Sequence, residues 1–455
     1  MSLSGNWRTP VLVLVCGAII LALGLGIRQV FGLFLQPMSA DLGWGRGNFS
    51  IAMALSNLIW GLAQPFFGAW ADKKGGGRVV AVSGLLFAGG LALIPLATTP
   101  LMLDLSAGLM VGLGLSGTSF GVILGVVGRA FPPERRGLAL GIASSGGSFG
   151  QFLMLPFGPF LISALGWQSA LLVLAGTILA TVPLAAAMVE RRRPVAAAGT
   201  WHSLEEALRE AGGHAGFRYL TAGFFLSGFQ VALTLGQLPA YLLDAKMTPS
   251  VGATALALIG LFNIAGSIVA GYLGGRFSKK YLLSGIHILR VVIITLFLGL
   301  PVSPLMVYLF AASIGFLWLG TVPLTSGLVA QIFGVRFACT LFGIVFLSYQ
   351  VGTFAGVSLG GHFFDATGSY DPVWVGSIAL GVIAAILNLP IDERPVAHAA
   401  AAGVIVPGRR AALWWVALAI ICPVLAILAL RGYYSPSVLI DFANIKLCAL
   451  AAAAT

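Results

Sequence analysis

Residues 11–36 read VLVLVCGAIILALGLGIRQVFGLFLQ, an apolar run broken by a single charge, Arg28. That is longer than the roughly 20 residues an α-helix needs to cross a bilayer core. The apolar residues follow one another without strand-type alternation, so the run reads as a helix. It begins like a secretory signal but continues past Arg28 to Gln36 without a clear cleavage site, which makes it a retained first span. Inside lipid no water is available to bond N–H or C=O groups, so helices are the expected way across.

Working outward, runs of the same kind recur along the chain. After Val11–Gln36 come Asn48–Trp70, Val79–Ala97, Leu101–Gly128, Leu138–Leu165 and Ser169–Val189. A charged stretch with Arg191, Arg192, Arg193, Glu205, Glu206, Arg209 and Glu210 separates these from a second set, with a short amphipathic helix expected around Leu204–Leu208. The second set is Tyr219–Leu243, Gly252–Gly275, Tyr281–Leu300, Pro304–Phe333, Phe337–Phe364 and Val373–Pro390. The expected organisation is a six-helix unit over 1–189, a connector over 190–216, a second six-helix unit over 217–392, and an Ala-rich tail over 393–455. Within the tail, Ala411–Leu430 is apolar enough for a thirteenth span or an interfacial helix.

Composition agrees with this reading. Of 455 residues, 58% are hydrophobic and 9% charged, with a mean hydropathy of +0.99. A soluble domain carries about 25% charged residues, and this chain has too few to solvate a particle of its size. Its 25 Lys and Arg against 14 Asp and Glu give a net charge of +11. Nucleic acid is not implied, because the basic residues gather on one side of the expected topology. Lys73, Lys74, Arg78, Arg135, Arg136, Arg276, Lys279, Lys280, Arg336 and Arg394 all fall there, whereas Arg46 and Lys246 fall opposite. By the positive-inside rule that side is the cytoplasm, with the N-terminus inside and the protein in the inner membrane. The cysteines at 16, 339, 422 and 448 show neither metal spacing nor a disulfide framework, and no cofactor is expected.

The two sets of spans repeat one another at a nearly constant offset. Phe131 matches Phe333, Gly141-Ile142 matches Gly343-Ile344, and Gly150, Gly158 and Gly166 match Gly352, Gly360 and Gly368. Pro37 matches Pro239, and Gly68 matches Gly271 with one residue of drift. Small residues permit close helix crossings, and a parallel repeat is the layout of carriers whose two halves rock about a central site.

Between the second and third spans stands Gly68-Ala69-Trp70-Ala71-Asp72-Lys73-Lys74-Gly75, with Arg78 close behind. It resembles the signature loop of the major facilitator superfamily, and Gly271-Tyr272-Leu273-Gly274-Gly275-Arg276 resembles a second copy that lacks the acid. Phe131-Pro132-Pro133-Glu134-Arg135-Arg136-Gly137 and Gly32-Leu33-Phe34-Leu35 resemble the bacterial monocarboxylate-porter-like branch, related to the oxalate–formate antiporter and monocarboxylate transporter groups. The resemblance implies an all-α membrane bundle of twelve helices in two six-helix halves, moving a small organic anion by alternating access. It also implies a gate at one face, in which Asp72 pairs with basic residues such as Lys73, Arg136 and Arg276. Departures bear on substrate: no arginine lies within span eight before Arg276 and no lysine in span eleven, where oxalate–formate antiporters hold a dicarboxylate. Arg28 aligns close to the span-one lysine of animal monocarboxylate transporters.

Intramembrane charge is costly and calls for a reason. Arg28 and Arg290 are the basic residues expected near mid-depth, and no Asp or Glu is expected there. Arg28, opposite its repeat counterpart Gln230, offers a fork for a carboxylate; the competing reading is that it snorkels outward or pairs with Asp104. Arg290, one turn after His287, is either a coupling pair with protons as the candidate ion, or a tie between helices through backbone carbonyls. Gln151, Asn263, Tyr349 and Gln350 complete the expected substrate site, with Asn57 and Gln64 among further polar candidates. The expected partners are a small organic anion, protons and the lipid bilayer, and the expected working unit is a monomer. Efflux of cationic drugs fits less well, because it would want a buried acid. A membrane sensor or enzyme has no motif to support it: metal patterns, paired carboxylates and phosphate loops are missing from the sequence.

Overall fold

The structure, a computed structural model, describes residues 8–44, 46–190, 203–367 and 370–396. The apolar run at 411–430 lies outside the described residues. The chain forms α1 (Pro10–Leu42), α2 (Arg46–Lys74), α3 (Gly76–Leu93), α4 (Pro100–Ala130), α5 (133–165) and α6 (167–188). It continues as α7 (Ala215–Asp244), α8 (Pro249–Arg276), α9 (Lys279–Gly299), α10 (Pro304–Phe333), α11 (Ala338–Thr367) and α12 (Asp371–Asn388). Among the described residues, nine helical stretches are long and apolar enough to cross a membrane, α5 and α6 forming one of them. Large apolar side chains such as Phe66, Phe160, Phe354 and Ile386 are exposed on the outer surface, where a soluble protein would place charge.

Most helices begin and end as the sequence leads one to expect. Thr9, Thr99 and Ser303 cap α1, α4 and α10, each accepting from a backbone N–H three residues on, with proline at the first helical position. Several boundaries differ from the expectation: α1 runs on to Leu42 instead of Gln36, α2 to Lys74 instead of Trp70, and α7 begins at Ala215 instead of Tyr219. Span five begins at Pro133 instead of Leu138, and it meets span six at a one-residue corner, Gly166, whose φ of 76° and ψ of 163° suit only glycine. The connector helix is also longer than expected: Leu204–Gly213, capped by Ser203, with Ala207 and Ala211 buried.

Glycines set how close the helices come. A Cβ on Gly26 would meet the Gly150 carbonyl oxygen at 2.7 Å, where α1 crosses α5. Gly228 and Gly352, at the matching positions of α7 and α11, stand against the carbonyls of Tyr349 and Phe225. The repeat read in the sequence therefore recurs as a repeated crossing.

Two further crossings join the first set of helices to the second. In one, α2 meets α11, and a Cβ on Gly68 would lie 2.5 Å from the Cys339 carbonyl oxygen. In the other, α5 meets α8, with Gly141 against the Ser267 carbonyl at 2.6 Å and Gly137 against that of Gly271 at 2.6 Å. Further along the second crossing, Gly260 faces Phe152 Cβ at 3.6 Å, an ordinary contact. Packing is thus tightest at the end that carries Lys73, Arg129, Arg136, Arg276 and Lys279, called here the basic end.

Adding a side chain at such a crossing forces two backbones apart. Gly141→Leu is expected to destabilise the detergent-solubilised protein by about 1–3 kcal/mol, read as a lowered melting temperature. Gly176→Leu, with open space around it, should leave the melting temperature unchanged.

Candidate functional site

Two of the helices break in mid-course. α4 is interrupted at Ser119, which takes extended φ and ψ of −109° and −167°. α10 stops at Trp318 and resumes at Thr321. A break inside a membrane frees carbonyls and N–H groups that no water can serve, so side chains must. At the α4 break this falls to Gln64 of α2. Its amide nitrogen donates to the Ser116 carbonyl at 3.2 Å, and its oxygen accepts from Trp60 Nε1 at 3.1 Å and Ser119 Oγ at 2.5 Å. Trp60 Nε1 also lies 2.8 Å from Ser119 Oγ.

At the α10 break the corresponding work is done by Arg290 of α9 and Asn263 of α8. Arg290 Nη2 donates to the carbonyls of Leu317 at 2.9 Å and Trp318 at 2.7 Å, and Nη1 to Ser227 Oγ at 3.1 Å. Asn263 Oδ1 accepts the Leu319 N–H at 2.9 Å. Ser116 and Trp318, the carbonyl bearers, stand at the repeat offset. Of the two readings open for Arg290, the structure gives the tie between helices. His287 is buried beside it, and its Nδ1 has no partner among the described residues.

Arg28 is placed differently. Its Nε and Nη2 both donate to Asn57 Oδ1, at 3.2 and 2.6 Å, and its guanidinium lies 4.8 Å over the Trp60 ring. The surrounding crevice, lined by Ile27, Phe31, Met53, Ser56 and Phe87, is apolar apart from Ser56 and Asn57. Among the described residues the ion pairs are Arg129–Asp72, Arg129–Glu190 and Arg394–Asp392. Neither Arg28 nor Arg290 has a carboxylate partner there, and Asp104 does not pair with Arg28. Among the described residues, Nη1 of Arg28 meets no hydrogen-bond acceptor.

Below Arg28 lies an aromatic layer. Trp60 stands 5.3 Å from Phe346, Phe346 stacks on Tyr349 at 5.9 Å, and Tyr349 reaches Phe224 at 5.0 Å. The Tyr349 hydroxyl accepts from Trp318 Nε1 at 3.3 Å. Tyr349 thus joins the two regions.

The other expected site residues are scattered. Gln230 does not stand opposite Arg28; it is buried against α12, with Nε2 donating to the Ser377 carbonyl at 3.1 Å. The amide facing Arg28 is Asn57, because α2 and not α7 packs on that side of α1. Gln151 is half-buried on α5, and Gln350 lies half-buried at the α2–α11 crossing against Gly61.

At the basic end, Asp72 accepts from Arg129 Nη1 at 2.7 Å, from Thr340 N at 2.8 Å and Oγ1 at 2.7 Å, and from Cys339 N at 3.3 Å. The last three donors belong to the first turn of α11, so a carboxylate sits on the positive end of a helix dipole. Arg129 is itself held by Glu190, Nε to Oε1 at 2.6 Å. The basic partners expected for Asp72 do not meet it: Lys73 is exposed, Arg136 donates to the Gly128 carbonyl at 2.8 Å, and Arg276 lies over Tyr272 at 4.2 Å. Arg129 is missing from the sequence expectation because it is far from Asp72 in the chain and reaches it only through folding. Its place at the last turn of α4, just before Phe131-Pro132-Pro133, was the available signal.

Residues 14–338 match the family profile described as Major Facilitator Superfamily. The chain belongs to this superfamily. It is 25% identical over 386 residues to the uncharacterized MFS-type transporter YcxA of Bacillus subtilis (strain 168), covering 81% of this chain and 92% of that one. It is 27% identical over 378 residues to Monocarboxylate transporter 13 of Rattus norvegicus, covering 81% and 86%. The crystal structure of the major facilitator transporter FucP in the outward conformation matches with a TM-score of 0.66 at 16% identity, covering 83% of this chain and 97% of that one. At that identity the likeness is one of fold. This superfamily member is therefore a multi-pass membrane protein with the fold of a secondary transporter.

Replacing Arg290 with leucine leaves the Leu317 and Trp318 carbonyls without their donor. Arg290→Leu is expected to lose about 2–4 kcal/mol of stability, seen as a lower melting temperature in detergent. Arg290→Lys, which can keep one of those bonds, should fall between the two.

Proposed function

We propose that the protein carries a small monocarboxylate across the inner membrane by alternating access, with two six-helix halves, α1–α6 and α7–α12, rocking about Arg28. The basic end faces the cytoplasm in this reading, and the Asp72 contact with α11 holds that end shut while the opposite end admits substrate. The observation that carries the proposal is the state of the two mid-depth cations. Nη1 and Nη2 of Arg290 are taken up by Ser227 and the α10 carbonyls, whereas Arg28 has one amide oxygen and the face of Trp60. A guanidinium in an apolar crevice without a carboxylate partner attracts one, and its planar fork suits a carboxylate group.

One anchoring cation, with apolar walls around it, fits one carboxylate and an apolar body better than a dicarboxylate. Support also comes from relatives named as anion carriers. These include Monocarboxylate transporter 13 and, over 164 residues at 31% identity, the chloroplastic Sodium-dependent phosphate transport protein 1 of Arabidopsis thaliana. Gln151, Tyr349 and Gln350 are the residues assigned to the opposite wall.

The test is uptake of radiolabelled lactate, pyruvate and benzoate into proteoliposomes. Arg28→Gln should lower the transport efficiency for the carried acid by about ten- to hundredfold, and Arg28→Lys should do so less. Unchanged uptake of every acid in Arg28→Gln would remove Arg28 from the site and, with it, the anion assignment.

A further inference from the structure

The α5–α8 crossing carries four buried polar groups that the packing leaves without partners. The hydroxyls of Ser144 and Ser148 on α5, the hydroxyl of Ser267 on α8 and Nδ2 of Asn263 on α8 are all unbonded among the described residues, and each residue is 0% exposed. Their positions along the crossing follow from two fixed contacts. Gly141 lies against the backbone of Ser267 and Gly271, and Phe152 lies against Gly260, so the two helices run antiparallel. Ser144 and Ser148 follow Gly141 at helical spacing, on the same face; Asn263 and Ser267 occupy the corresponding face of α8 between Gly260 and Gly271. Ser144 therefore comes opposite Ser267, and Ser148 opposite Asn263.

All four groups can donate to an anion. The Oδ1 of Asn263 is already committed to the Leu319 N–H, so only its N–H groups remain. A serine hydroxyl both donates and accepts, and its unbonded O–H can turn toward an incoming acceptor. At the basic end the strip runs out between two cations. Arg136 lies in the first turn of α5, one turn before Leu140, and the side chains of Leu140 and of Lys279, buried where α9 begins, both border Gly327 of α10. Lys279 Nζ donates to Gln331 Oε1 at 2.5 Å and meets no carboxylate within ion-pair distance among the described residues. Nearby, Glu134 is exposed, and Glu393 Oε1 accepts the Lys280 backbone N–H at 2.6 Å.

We propose that the α5–α8 crossing encloses a second anion subsite, lined by the hydroxyls of Ser144, Ser148 and Ser267 and the amide nitrogen of Asn263, which opens toward the basic end. It deepens the anion reading of Arg28: the carboxylate that leaves Arg28 passes to these donors when the crossing parts, and from there to Arg136 and Lys279. Buried donors with no acceptor are costly in the closed crossing, and an anion or water relieves that cost when it opens.

The test needs no knowledge of the substrate. In Ser148→Cys, a sulfonate-bearing methanethiosulfonate and its trimethylammonium-bearing counterpart are added from the basic end in oriented membrane vesicles, and the modified cysteine is identified by peptide mass. A donor-lined path leading from two cations should favour the anionic reagent by about tenfold or more. Adding Asn263→Ala and Ser267→Ala to that variant should bring the two rates close together. Equal rates in Ser148→Cys, or a preference that survives loss of both donors, would overturn the subsite. Ser144→Cys, one turn nearer the basic end, repeats the measurement if Ser148→Cys does not fold. Failure of the Arg28 uptake experiment with the labelling preference intact would remove the carboxylate assignment and leave the anion path standing.

Discussion

Backbone groups freed inside lipid have no solvent to bond, and the interior of this protein is arranged around that constraint. Wherever α4 and α10 depart from helical geometry, a polar side chain from a neighbouring helix takes up what is freed. Gln64 serves Ser116, Arg290 serves Leu317 and Trp318, and Asn263 serves Leu319. The breaks in turn let Trp60 meet Ser119 and Trp318 meet Tyr349. Continuous helices would have no unmet carbonyl there and no reason to hold a guanidinium.

Seen this way, the two intramembrane arginines answer different needs. A charge at that depth persists only if it is bonded. Arg290 reaches three oxygens, two of them main-chain, and is thereby part of the scaffold. Arg28 shares one amide oxygen and an aromatic face, which positions it without using all its donors. The same residue type is held by three oxygens in one case and by one amide oxygen and an aromatic face in the other. Coordination by neighbours separates the two roles, and residue identity does not.

At the basic end the constraint is closure. Asp72 is bonded simultaneously to Arg129 and to the first turn of α11, so one carboxylate joins the first set of helices to the second. The glycine contacts of α2 with α11 and of α5 with α8 draw the backbones together beside it. The carboxylate bonds there are polar, and the glycine contacts bring backbone against backbone with no side chain between.

The sequence alone determined the membrane-spanning helical class, the positions of most helices to within a few residues, and the internal repeat, because apolar length and glycine spacing are local properties of the chain. It also singled out Arg28, Arg290, Asn57, Gln64 and Asn263 as polar residues at unexpected depth. The neighbours of those residues were decided by tertiary structure. Gln230 stands at the repeat offset from Arg28 yet bonds to α12, and Asp72 chose Arg129 over Lys73, Arg136 and Arg276. The breaks at Ser119 and Trp318 were likewise invisible, since apolar sequence continues through them. Helix formation follows from local composition, whereas the facing of a side chain depends on how helices rotate and cross, and contacts distant in sequence set both.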